Sequence, residues 1–287
     1  MAASRHFLTF ADSRLSPSLA RISSEARQTG VFDTVTALTE RGLDRSFRRQ
    51  KRRLLSPAVR GFGFWIWKPQ AILQTLRTLP DGDMLAYCDV GCRFTQKGRD
   101  RLEEYFTQAS ESAVKVAAFK FDPPRPPFPH DGRQLFDLHC GQWTKGDLLT
   151  HFQLQDDSAF VNDYCFVATV VFLVASASSR EFIEAWLEVM ESDTHLIDDS
   201  PSRSPNRPEF IEHRHDQAVF NCLAYRHKVS ALCGYEIQYP GATPQENDWE
   251  TIRDYPIHAR REKTLSRSGR LWTRMHRAWA RLRGAVG

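Results

Sequence analysis

The stretch Gly61-Phe62-Gly63-Phe64-Trp65-Ile66-Trp67-Lys68-Pro69, with the segment after it down to Cys88-Asp89-Val90-Gly91-Cys92, constrains this chain more than any other. Glycines and aromatics run into a proline, which suits the first turn of a helix because the amide it lacks would have no partner there. Ala71, Ile72, Leu76 and Leu79 then supply a mostly apolar helical face. Pro80-Asp81-Gly82-Asp83 is a turn, and Met84–Cys88 reads as a short buried strand that ends at Asp89 and Gly91. In an open α/β sheet the carboxyl ends of the strands line the ligand crevice. Asp89 therefore stands where a functional carboxylate belongs.

The rest of the chain has the order of an α/β protein. His6–Ala11 is a first strand, Leu19, Ile22 and Ala26 lie at helical spacing, and Gly30 closes that helix at a favourable C-terminal position. Val31–Leu38 suits a second strand. Asp44–Leu55 is strongly basic and reads as a solvated helix face, with a site for an anionic acceptor or lipid headgroup as the alternative. A helix at Arg99–Phe106 and a strand at Ala113–Phe119 precede the proline-rich Asp122–Pro129, which continues neither. Trp143-Thr144-Lys145-Gly146-Asp147 opens another helix with Thr144 as its N-cap. Phe166–Ala175 is an apolar strand, and Phe182, Ile183, Trp186, Leu187 and Met190 form the face of the next helix. In Glu212-His213-Arg214-His215-Asp216-Gln217, polar groups open an amphipathic helix and can face a ligand while Val219, Phe220 and Leu223 bury behind them. Val229–Cys233 and Glu236–Tyr239 read as peripheral strands. Asp198 and Asp199 sit in a Ser/Pro/Asn-rich loop and are expected to face solvent.

Composition excludes several classes. The 287 residues can bury one substantial core, and a 41% hydrophobic share with 19 Phe and 7 Trp suits a folded enzyme. Six cysteines spread through the chain lack paired zinc spacing and point to a reduced, cytoplasmic protein. No apolar run has the length of a signal peptide or a membrane span. The net charge of +4 is unevenly placed: between Arg260 and Arg283 nine Arg or Lys stand against one Glu, so this segment carries +8 and the remainder −4. Basic character confined to a tail argues against a nucleic-acid-binding body. On a helical wheel Arg270, Arg274, Arg277 and Arg281 share one arc, while Leu271, Trp272, Met275, Ala278, Trp279, Leu282 and Val286 occupy the next. Residues 265–287 thus form a basic amphipathic tail after a domain at 1–264. Such a tail either packs on that domain or lies on an anionic membrane.

Gly61–Pro69, Tyr87–Cys92 and His213–Gln217, in this order of elements, resemble a nucleotide-sugar-dependent glycosyltransferase of the GT-A fold, of the bacterial kind that builds capsule, O-antigen or other surface polysaccharides. The resemblance covers roughly residues 5 to 262. It implies a Rossmann-like mixed sheet flanked by helices, and transfer of a hexose from a UDP-sugar to a hydroxyl of a growing surface glycan or lipid-linked saccharide. The loop after the first strand would hold the nucleoside through Thr9, Asp12 and Arg14. Lys68 would help hold the donor, because a leaving pyrophosphate needs fixed positive charge. Trp65 and Trp67 fit core packing, with stacking on a base or sugar ring as the alternative. Asp216 would orient or deprotonate the acceptor, Gln217 would hydrogen-bond a sugar hydroxyl, and His215 would lie beside them. Ala168-Thr169 takes the approximate place of an Ala-Gly pair that shapes the sugar pocket.

Asp89 and Gly91 stand where many such enzymes carry Asp-x-Asp, which binds a divalent cation, Mn or Mg, bridging the donor diphosphate. Gly91 removes the second carboxylate, so Asp89 would need help, and His258 resembles the late histidine that completes the metal shell. Arg260, Arg261 and Lys263 follow it and are placed to neutralise donor phosphate. A non-catalytic module binding nucleotide sugars or glycans, and another α/β transferase acting on phosphosugars, are the alternative readings. The inner face of the cytoplasmic membrane is where such a tail would hold the enzyme.

Overall fold

Alternation along the strands builds the molecule. In β1 (Arg5–Phe10) Phe7 points to one face while Leu8 and Phe10 point to the other, and all three are buried. β2 (Thr34–Leu38) and β3 (Met84–Cys88) pair parallel to β1 on its two sides. The short β4 (Arg93–Phe94) follows, then β5 (Val116–Lys120) and the long β6 (Phe166–Val174). β6 runs antiparallel between β3 and β5, and β7 (Ser230–Cys233) adds a parallel edge beside β5. The result is a six-stranded mixed sheet in the order β2-β1-β3-β6-β5-β7. The computed structural model describes residues 3–123, 128, 134–243 and 246–273.

Helices cover both faces. Leu19, Ile22 and Ala26 of the Ser16–Gln28 helix and Leu102, Tyr105 and Phe106 of the Arg99–Glu111 helix bury Phe7, Ala86 and Phe172. On the other face the helices Trp67–Leu76, Ala177–Ser192 and His215–His227 close over Leu8, Tyr87, Val171 and Leu173. The α/β expectation holds. Cys88, Cys92, Cys140, Cys165, Cys222 and Cys233 are free thiols.

Three local expectations fail for visible reasons. Thr144 does not cap a helix: it has extended backbone between the turns Cys140–Trp143 and Gly146–His151. Glu236–Tyr239 is no strand, because the chain tightens into a 3-10 turn at Gly234–Glu236. Asp198 does not simply face solvent, since the buried Lys145 ammonium holds its carboxylate at 3.2 Å. Most of Asp122–Pro129 and residues 274–287 lie outside the described residues, and with them most of the tail.

The Gly61–Trp65 motif folds in a way its composition did not announce. Gly61, Phe62, Gly63, Phe64 and Trp65 all have positive φ, at 60°, 59°, 101°, 52° and 60°. Five successive residues thus make a left-handed turn, which costs roughly 1–2 kcal/mol at each non-glycine position. Packing holds it there. The Trp67 indole N–H donates to the Gly61 carbonyl at 2.8 Å, and its ring stacks on Phe10 with centroids 4.1 Å apart. The glycines are needed for space as well as for φ. A Cβ on Gly61 would sit 2.3 Å from the Trp65 ring, and one on Gly63 3.1 Å from the Leu54 carbonyl oxygen.

Gly61→Ala is therefore expected to destabilise the protein by about 3 kcal/mol, combining backbone strain with overpacking. Gly82→Ala, also at positive φ but with open space around it, should cost about 1 kcal/mol. Urea unfolding of the two variants measures the difference. Equal losses would show that the Trp65 contact does not fix the turn.

Candidate active site

Strand order reverses between β2 and β3 on either side of β1, so a crevice must open beyond the carboxyl ends of β1 and β3. A cleft of about 870 Å³ is found there. Asp12 and Arg14 line it from the end of β1, Asp89 and Gly91 from the end of β3, and Ala168 and Thr169 from β6. The left-handed turn contributes Gly61, Phe62 and Trp65, and the start of the His215–His227 helix contributes His215, Asp216 and Gln217. The glycine motif and the Asp89 strand end, close in sequence, thus meet a third motif that lies more than a hundred residues further on.

Lys68 is the floor of this cleft. Its ammonium is buried and lies 3.3 Å from Asp89 Oδ1 and 2.7 Å from Asp216 Oδ2. It donates to the Ala168 carbonyl at 3.0 Å. The Asp216 contact is a close ion pair that is not aligned as a hydrogen bond. Asp89 also accepts from the Tyr87 hydroxyl at 2.6 Å, and its own amide donates to the Thr169 carbonyl at 2.8 Å. The Trp186 indole N–H holds the Asp216 backbone carbonyl at 3.0 Å. Burial works against the charge on Lys68, but Asp216 and Asp89 outweigh it and its pKa lies above the ordinary lysine value. Burial raises the Asp216 carboxyl; Lys68 opposes the rise and Asp89 adds to it. Lys68, expected as a donor contact, lines the cleft with its charge shared between two carboxylates, both of which it orients.

The nucleoside-side expectations divide. Asp12 and Arg14 form one unit, with Arg14 Nε and Nη2 on the two carboxylate oxygens at 2.6 and 3.1 Å. Thr9 does not line the cleft; it is fully buried within β1 on the Phe7 face, under the covering helices. His215 lines the cleft with Nδ1 against the Ile197 carbonyl at 2.7 Å and its ring stacked on Trp65. Gln217 is half-buried, and its side-chain amide has no hydrogen-bond partner among the described residues. His213 belongs to a smaller neighbouring pocket, where burial and the nearby His215 and Lys145 push its pKa down to about 3.

The metal expectation does not fit these residues. His258 sits in β8 (Ile257–His258), which pairs with β4, and Nε2 meets the Ile252 carbonyl at 2.8 Å. Its ring stacks on Trp249 and does not line the cleft. Burial holds its pKa below the ordinary histidine value. Among the described residues no three His, Cys, Asp or Glu side chains converge as metal ligands would. The position of the absent second carboxylate is also filled: a Cβ on Gly91 would lie 2.9 Å from Arg261 Cα. Arg260 is turned away over the Trp249 ring at 4.8 Å, while Arg261 and Lys263 line the cleft. Arg60 and Arg214 also reach it. Sequence reasoning missed Arg60, although it directly precedes the glycine motif.

The described start of the tail packs on the domain. The Ser266 amide donates to the Arg14 carbonyl at 2.7 Å, and the Arg14 guanidinium lies 4.7 Å from the Trp272 ring centroid. Trp272 thus covers the loop after β1, where a headgroup-level position had been the other expectation.

No protein-family model matches the chain, and no curated protein does. Among solved structures it is similar to the galactosyltransferase LgtC in complex with donor and acceptor sugar analogues, at 12% identity over 88% of this chain and 86% of that one, with a TM-score of 0.44. It is similar to a glycosyltransferase involved in glycosylation of the major capsid of PBCV-1, at 9% identity, 89% and 91% coverage and a TM-score of 0.47. Mouse xyloside xylosyltransferase 1 in its apo form follows at 10% identity, 81% and 85% coverage and a TM-score of 0.40. At such scores these likenesses assign no residue of this chain a role.

Removing the ammonium exposes its work. In Lys68→Met, burial of Asp216 is no longer opposed, and its pKa should climb further. The folded state then keeps a proton that the unfolded chain has released, so stability falls as pH rises from about 4 through the raised value. The loss relative to wild type should reach about 3–5 kcal/mol at pH 8 and be clearly smaller at pH 5. Denaturant unfolding at the two pH values checks this; a pH-independent loss would contradict it.

Proposed function

We propose that this protein is a GT-A-type glycosyltransferase that moves a sugar from a nucleotide-sugar donor to a hydroxyl acceptor. The observation that carries the reading is the cleft itself: it opens at the switch point, and Asp89, Asp216 and Gln217 converge on it from two distant segments. Its volume lies in the range of pockets that hold small ligands. Asp12 and Arg14 at one end offer polar partners to a nucleoside, and the small Ala168 leaves room beside Thr169 for a sugar ring. Transfer requires a held leaving group and a placed acceptor hydroxyl. In this reading Asp89, fixed by Tyr87 and Lys68, contacts the donor. Asp216 faces the reacting hydroxyl, and Gln217 donates to a sugar oxygen.

The finer reading is a hexose from a UDP-sugar, transferred to a surface glycan or lipid-linked saccharide by a bacterial enzyme. Peripheral association with an anionic membrane through the basic tail belongs to the same reading. Among the described residues no helix is long and apolar enough to cross a membrane. Vesicle co-sedimentation of the full chain and of a chain ending near Thr273 tests the tail: loss of binding to anionic vesicles on truncation is expected, and equal behaviour of the two chains would remove it.

Asp89→Ala is expected to abolish turnover of the cognate donor in a nucleotide-sugar panel. Asp216→Asn should lower kcat about 100-fold or more while donor affinity changes little, since the loss belongs to the transition state. Circular dichroism confirms that each variant is folded. Asp216→Asn turning over within about twofold of wild type would leave that carboxylate only a structural role.

A further inference from the structure

The segment after β8 crosses the mouth of the cleft as a strap with alternating duties. Glu262 is pinned to the body: its amide donates to the Gly91 carbonyl at 3.0 Å and its carboxylate pairs with Arg93 at 2.6 Å. Thr264 is pinned next, its amide donating to the Ser18 hydroxyl at 2.7 Å, and Ser266 is pinned to Arg14. Between these anchors Arg261, Lys263 and Leu265 line the cleft. Arg21 stiffens the loop on which the strap lies by donating to the Val90 and Cys92 carbonyls, both at 2.8 Å.

The charges in the cleft are unequally engaged. Lys68 is shared by Asp89 and Asp216, Arg14 is held by Asp12, Arg60 pairs with Asp199, and Arg214 lies 3.4 Å from Glu212. Arg261 and Lys263 line the same cleft with no ion-pair partner among the described residues. They flank the point where the strap backbone closes on Gly91 and so excludes a second carboxylate. Arg261 is held there at φ 55°, a conformation unusual for a long side chain.

We infer that the strap replaces a bridging divalent cation: Arg261 and Lys263 bind the diphosphate of a nucleotide, and that binding needs no metal ion. This rests on the donor reading above. A guanidinium offers paired N–H donors that match phosphate oxygens, and an ammonium adds a compact charge. Together they supply two positive charges in the cleft that Asp89 lines, where a hard cation would otherwise need a cluster of ligands that is not found among the described residues. Gly91 is thus explained as the residue over which a cation-bearing strap can lie.

The test is isothermal titration of the full chain with UDP, GDP, CDP and inorganic pyrophosphate as probes, each in EDTA and with Mn²⁺. At least one nucleoside diphosphate should bind with the same affinity within about twofold in both conditions. Arg261→Gln and Lys263→Gln should each weaken it about tenfold, the loss of one charge-assisted contact. The corresponding nucleoside should bind all forms equally. Arg260→Gln, whose side chain lies over Trp249, should match wild type, and unchanged melting temperatures confirm the fold. Binding that appears only with Mn²⁺, or wild-type affinity in both strap variants, would overturn the inference and leave the donor reading standing. No binding by any probe in either condition would overturn both.

Discussion

A buried ammonium between two carboxylates organises this protein. Taking Lys68, Asp89 and Asp216 out of water costs several kcal/mol per ion, and only close geometry offsets it. Here the offset comes from two ion pairs, the Ala168 carbonyl and the Tyr87 hydroxyl. The contact ties the start of one helix to the end of β3 and the start of another helix, with β6 beneath. The first two are joined by a short turn, but β6 begins only at Phe166 and the second helix at His215. The triad therefore fixes the shape of the cleft floor and holds both carboxylates in place before a ligand arrives.

Around that floor, two walls are set by backbone and not by side-chain chemistry. The left-handed turn at Gly61–Trp65 carries strain that Trp67 and Phe10 hold in place, as strained backbone at ligand sites commonly is. The strap at Arg261–Leu265 closes the other side by lying against a glycine that can carry no side chain. These walls explain two oddities of the sequence. Two glycines stand among bulky aromatics because φ and space demand them, and Asp-x-Gly stands in place of two carboxylates because a chain segment passes there.

Much of this was legible in the residues. Apolar runs placed β1, β3 and β6 to within about two residues, and the strand-end rule alone put Asp89 at the cleft. The meeting of Asp89 with Asp216 followed from a resemblance of motifs and was right in place. What failed was orientation. Lys68 sits at the right helix start, yet charge alone does not say whether an ammonium meets phosphate or carboxylate. Thr9 and Arg260 lie one step out of phase with the cleft, where alternation turns a side chain inward or away. His258 had the residue type of a ligand, but its β4 pairing and the Ile252 carbonyl were invisible in one dimension. Arg261 and Lys263 were expected against donor phosphate together with Arg260, but nothing in the run separated the two that line the cleft from the one turned away.

The most direct measurement is a crystal structure of the full chain grown with UDP or GDP and no divalent cation. The account requires the diphosphate to lie at the carboxyl ends of β1 and β3, beside Asp89 and in contact with Arg261 and Lys263, with Lys68 still bridging Asp89 and Asp216. A nucleotide bound outside this cleft, or a diphosphate within it held by Lys68 after that bridge has opened, would contradict it.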